Sequence, residues 1–193
     1  SAEEALQRLI DGNKRFLAGE LRVSTPSAET MTRLTQGQSP FATVLGCSDS
    51  RVPPEWIFDA GLGELFVVRV AGNVLSPEVA GSLQYAGAHL HTPLFVVLGH
   101  EGCGAIQAAL ETKFHGVRQR SRIQLLVDAI LPSLTGVDPD LPPLKQLDQA
   151  VENNVRLTVR TVRESPEGQA RRLEGKMKIV GAIYEIRTGR VRF

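Results

Sequence analysis

Two short stretches hold the residue types that do chemistry: Cys47-Ser48-Asp49-Ser50-Arg51 and His100-Glu101-Gly102-Cys103. Between them they contain both cysteines of the chain, a histidine and a carboxylate. Two thiolates, one imidazole and one carboxylate are a complete tetrahedral ligand set for zinc. A disulfide is the competing use of two cysteines, but it needs no special neighbours. Here each cysteine has a ligand-type residue two or three positions away, which favours a metal. A Cys-x-Asp pair alone is often a turn, and a His-x-x-Cys alone is often a hydrogen-bonded loop. Their co-occurrence is the stronger signal. A thiol nucleophile would leave the second cysteine without a role.

With zinc on Cys47, His100 and Cys103, two thiolates cancel the charge of the dication. A bound water is then acidified less than beside neutral imidazoles alone. Asp49 can take the fourth position and close the site, or turn away and leave that position to water. Arg51 bears on the choice, because its guanidinium offers a bidentate ion pair that competes with the metal for the carboxylate.

These residues need a scaffold that brings two distant stretches together. Each follows an apolar run ending in glycine, Phe41-Ala42-Thr43-Val44-Leu45-Gly46 before the first and Leu94-Phe95-Val96-Val97-Leu98-Gly99 before the second. Such runs read as buried strands of a parallel sheet. The residues after them then lie at the strands' carboxyl ends, where open α/β sheets bind ligands. Two more strands are expected at residues 64–70 and 178–186. Arg69, inside the otherwise apolar first of these, reads equally as a solvated edge residue or as a cation aimed at the same sheet edge.

The rest of the chain alternates with these strands as helices. Residues 1–17 form an amphipathic helix with capping-box spacing at Ser1 and Glu4, a stripe broken by Asn13 and a stop at Gly19. A short helix is expected at 28–35. Pro53-Pro54-Glu55 and Ser76-Pro77-Glu78 have the form of helix entries, with Trp56 directed to the core. Further helices are expected at 104–114, 121–134, 144–163 and 166–173. The class is α/β, with a mainly parallel central sheet flanked by helices and an N-terminal helical arm of about 20 residues. One domain is expected to span residues 1–193.

A formal charge of +1 on 193 residues gives no nucleic-acid signature. No apolar stretch is long enough to span a bilayer. No signal peptide is visible, so the expected compartment is cytoplasmic; because the sequence starts at Ser1 and not Met, the alternative is periplasmic, with a leader removed.

The pair Cys47-Ser48-Asp49-Ser50-Arg51 and His100-Glu101-Gly102-Cys103-Gly104 resembles the β-class carbonic anhydrases. The likeness extends over most of the chain, through residues 11–16, 64–69 and 81–86. The resemblance implies Cys47, His100 and Cys103 as permanent zinc ligands and Asp49 with Arg51 as the catalytic dyad, the aspartate binding zinc at lower pH in some members. It implies that Gln38 donates to bound bicarbonate and that Phe66 and Tyr85 line the substrate pocket, largely from the partner subunit. Gly104 matches a small residue bordering that pocket. The implied assembly is a homodimer or tetramer, and the implied reaction is attack of zinc-bound hydroxide on carbon dioxide. Members regulated by bicarbonate carry a tryptophan where this chain has Val44, so an inhibitory bicarbonate site is not expected despite Tyr184. His89, His91 and His115 are proton-shuttle candidates by type alone. Hydrolysis of carbon disulfide or carbonyl sulfide on the same scaffold, or a closed non-enzymatic zinc site, would keep the same ligands.

Overall fold

The computed structural model describes residues 1–175 and 177–193. Its sheet is built from the apolar runs: β1 (Ala42–Gly46), β2 (Leu65–Arg69), β3 (Leu94–His100) and β4 (Lys178–Glu185), with β5 (Arg190–Arg192) at the end. In space the order is β2-β1-β3-β4-β5. The first four strands are parallel, and β5 returns antiparallel on β4. Every residue of β1 and β3 is buried, which is why these strands read as unbroken apolar runs with no polar alternation. Their alternate residues serve two separate cores. Val44, Val96 and Leu98 join one cluster, while Leu45, Phe95 and Val97 join the other.

The helices are α1 (Ala2–Ala18), α2 (Ala28–Leu34), α3 (Pro54–Ile57), α4 (Pro77–His89), α5 (Gly104–His115), α6 (Ile123–Ile130), α7 (Pro143–Glu164) and α8 (Pro166–Leu173). The segment expected as one helix over 121–134 is shorter. It tightens into a 3₁₀ turn at Leu131–Leu134, where Pro132 cannot continue the α ladder. Helix α7 packs closely on the sheet because two strand residues lack side chains. A Cβ on Gly99 would lie 2.5 Å from Val155, and one on Gly181 would lie 2.8 Å from the same residue.

The arm α1 has the expected capping box at Ser1 and Glu4, and Gly19 ends it in the left-handed conformation. Asn13 does not merely interrupt its apolar stripe. The side chain is 5 % exposed. Its amide donates to the carbonyls of Ile57 and Gly189, and its oxygen accepts from the Val191 amide. One buried amide thus ties the arm to both α3 and the β4–β5 turn, satisfying backbone groups that would otherwise be buried unpaired.

Trp56 is 63 % exposed and not part of the core. Helix α3 is a single turn that buries Pro54 and Ile57. Adjacent helical positions do not share a face, so burying Ile57 turns Trp56 outward.

After α3, Asp59 anchors the segment that follows the arm. Its buried carboxylate accepts from the Arg22 and Val23 amides and pairs with Arg15. Burial pushes this carboxyl up, but Arg15 and the two amides outweigh it and hold it below the usual carboxylate range. A group with a lowered folded pKa adds stability above its unfolded pKa of about 3.9, and that stability is lost as pH falls through the folded value. Asp59→Asn, which keeps the backbone preference and removes the charge, should cost on the order of 1–2 kcal/mol at pH 7. Urea midpoints of the two proteins should converge as the pH drops below about 4. A gap of equal size at pH 3 and pH 7 would show that the ion pair is not the source.

Candidate metal centre

The chain passes from β1 outward to β2 on one side and from β3 to β4 on the other. The crevice between β1 and β3 is therefore the point where the winding reverses, the usual ligand edge of an open parallel sheet. Gly46 lies in register with Leu98, so Cys47 leaves β1 at the same level at which β3 ends in His100. Gly102 then turns the chain with φ of 66° and delivers Cys103 to the start of α5. The two sulfurs and a ring nitrogen of His100 all lie within 4.8 Å of one another, and all three residues are buried.

The donor set fits a metal ion. His100 Nδ1 lies 2.9 Å from the Glu101 carbonyl, so Nδ1 must carry the hydrogen, which leaves Nε2 with a free lone pair. That Nε2 is buried and has no hydrogen-bond partner among the described residues. Hydrogen bonding from Cys103 pulls the Cys47 thiol down to about 4, against burial. Hydrogen bonding to Cys47 and burial push the Cys103 thiol up. A dication between the two sulfurs would let both ionise, which is the protonation state that zinc requires.

Asp49 sits beside this group and is held by Arg51. Arg51 Nε donates to Oδ1 at 2.9 Å, Nη2 donates to Oδ2 at 2.7 Å, and the Arg51 amide donates to Oδ1 at 2.9 Å. These bonds hold the carboxyl at about 2. Arg51 Nη2 also donates to the Gly102 carbonyl, joining the two motif loops. Asp49 Oδ2 remains 3.9 Å from His100 Nε2.

Arg69 lies at the sheet edge but addresses backbone. Its Nε donates to the Cys47 carbonyl at 2.8 Å and its Nη2 to the Asp49 carbonyl, so it staples the first motif loop to β2. Two further residues escaped the sequence reading. The Gly72 amide donates to Cys47 Sγ at 3.3 Å from a left-handed backbone with φ of 68°. Asn154 of α7, 3 % exposed, donates to the Gly72 carbonyl at 2.9 Å. The available signal was a polar residue on the buried stripe of α7, between Val151 and Val155.

The other expected site residues fall in two places. Gly104 opens α5 next to Cys103, and a Cβ there would meet nothing within 4 Å. Phe66 and Tyr85 form an aromatic pair with ring centroids 6.1 Å apart. Phe66 is in register with Thr43, about 13 Å along the strand from Cys47. Gln38 is exposed in the loop after α2, and His89, His91 and His115 are exposed as well. Tyr184 pairs in register with His100, and Val44 is buried in the core.

Fold and site define a class: an α/β protein with a buried Cys-His-Cys group that could hold a metal ion at the carboxyl edge of a parallel sheet. The sequence profile of the family described as carbonic anhydrase matches residues 42–191. The chain is 40 % identical to a carbonic anhydrase of Mycolicibacterium smegmatis, covering 97 % of this chain and 90 % of the relative. It is 38 % identical to carbonic anhydrase 2 of Mycobacterium tuberculosis, covering 96 % and 89 %. Among solved structures, the β-carbonic anhydrase CcaA matches with a TM-score of 0.77 at 27 % identity, covering 96 % of this chain and 93 % of that one. The chain belongs to the β-carbonic anhydrase family.

The Asn154–Gly72–Cys47 relay predicts a measurable effect on metal retention. Asn154→Leu should weaken zinc binding about 10-fold, read by competition with a chromophoric chelator. Unchanged affinity in a correctly folded variant would remove Asn154 from the support of the site.

Proposed function

We propose that this protein catalyses the reversible hydration of carbon dioxide to bicarbonate and a proton. The observation that carries this reading is the Asp49–Arg51 pair held against the buried Cys47, His100 and Cys103 group in a chain of this family. Cys47, His100 and Cys103 would hold zinc, which when bound would supply a Lewis acid able to acidify water. Asp49, kept ionised by Arg51, can only accept hydrogen bonds. It takes one from the attacking oxygen and directs its remaining lone pair at the carbon of carbon dioxide. Arg51 keeps the carboxylate in that role and away from the ligand position. The N-terminal amides of α5 favour the negative charge that builds on the product. Bicarbonate leaves, and the proton released by the water passes to buffer.

The same reading assigns Gln38 to bicarbonate and Phe66 with Tyr85 to the carbon dioxide slot, supplied across a subunit boundary in a homodimer or tetramer. Two features support it. The aromatic pair lies far along the sheet from its own metal group. Strand β2, apolar through Leu-Phe-Val-Val, is an edge strand with β1 as its neighbour, and such an edge is normally covered. A closed zinc site without activity fits less well, because a structural carboxylate ligand needs no arginine competing for it.

Arg51→Ala should lower the hydration rate by roughly 100-fold while zinc stays near one equivalent. Full activity in that variant would return the site to a structural role. Sedimentation of the wild type at micromolar concentration should give a dimer or larger assembly. A fully active monomer would remove Gln38, Phe66 and Tyr85 as contributions from a partner.

A further inference from the structure

Between α4 and α8 a cavity of about 360 Å³ opens against Phe95 of β3. It stands apart from the metal centre, since Phe95 is about 16 Å along the strand from His100. Leu75, Leu83, Phe95, Val162 and Met177 make its lining predominantly apolar. Few polar groups reach it, and most are already engaged or neutral. The Ser165 hydroxyl caps α8, accepting from the Gly168 amide and donating to the Val162 carbonyl. Gln84 offers a neutral amide at the rim.

Arg171 is the exception. Its Nε is buried and has no hydrogen-bond partner among the described residues. Glu167, one turn earlier on α8 and also at the cavity, makes no ion pair with it among the described residues. The side chain as a whole is half-buried, but this N–H is shielded from solvent, and a buried donor left without an acceptor is costly, so the site calls for one. On the α4 side Gly87 leaves only a methyl-sized space beside this donor, since a Cβ built there would already be in contact with Arg171 Nε at 3.8 Å.

We propose that this cavity is a second ligand site, for a small monocarboxylate with an apolar body of about eight carbons. The carboxylate accepts from Arg171, the chain or ring lies on Leu83, Phe95 and Met177, and Gln84 donates at the mouth. Among the described lining residues Arg171 is the one cation and Glu167, exposed to solvent, the one carboxylate, so the buried guanidinium N–H matches a single anionic group and no more. A phosphate would bring a further charge with nothing to pair it.

Octanoate titrated into the zinc-loaded protein by calorimetry tests this. Saturable binding of about one octanoate per chain is expected, undisturbed by azide, a small anion that ligates the metal centre. Arg171→Met keeps the aliphatic stem and removes the charge, and it should weaken octanoate at least about 10-fold while leaving 1-octanol binding unchanged. Leu83→Trp fills the cavity and should weaken both ligands. The proposal is overturned if octanoate shows no saturation below about 10 mM, if azide displaces it, or if both variants bind it as the wild type does. None of these outcomes bears on carbon dioxide hydration, so the two readings fail separately.

Discussion

Two buried sulfurs within reach of one imidazole cannot all carry their preferred charge unless something positive lies between them. In this chain hydrogen bonding between the two sulfurs favours ionisation of Cys47 and opposes that of Cys103. Nε2 of His100 has no hydrogen-bond partner among the described residues. A dication satisfies all three donors together. The surrounding structure is arranged to keep that convergence from relaxing. Parallel pairing of β1 with β3 sets the level of the two loops, Arg69 fastens the Cys47–Asp49 backbone, and Gly72 presents its amide to the sulfur.

Charge is then distributed in layers around the centre. Arg51 neutralises Asp49 on the open side, and its bond to the Gly102 carbonyl makes the position of the dyad depend on both loops at once. Arg69 spends its donors on carbonyls and leaves the carboxylate to Arg51. Two arginines near one aspartate therefore do different work: one tunes the acid, and the other fixes the backbone that carries it. Their spacing explains the division, since Arg51 is on the same loop as Asp49 while Arg69 reaches across from the neighbouring strand.

Close packing of α7 on β3 and β4 links this edge to the rest of the molecule. Gly99 and Gly181 let the helix approach until Val155 touches the sheet, and the same approach brings Asn154 to the Gly72 carbonyl. A larger residue at either glycine would lift the helix and withdraw the asparagine with it. The arm is fastened at the opposite side by Asn13 and Asp59, so both ends of the chain close over one sheet.

By itself the sequence determined the local features. Hydrophobic runs with β-branched residues marked the strands, proline and serine caps marked the helix entries, and the type and spacing of Cys47, Asp49, Arg51, His100 and Cys103 marked the metal chemistry, because each depends on neighbours a few positions away. Only the tertiary structure decided what depended on residues far apart in the chain. Asn13 looked like a flaw in an apolar stripe until Ile57, Gly189 and Val191 arrived around it. Trp56 looked like core until a one-turn helix had to choose between it and Ile57. Arg69 had two equal readings until Cys47, twenty-two positions earlier, presented its carbonyl. Asn154 carried no motif at all, since its partner Gly72 lies eighty-two positions away. A buried hydrogen bond is specified by both of its ends, and a sequence read locally shows only one.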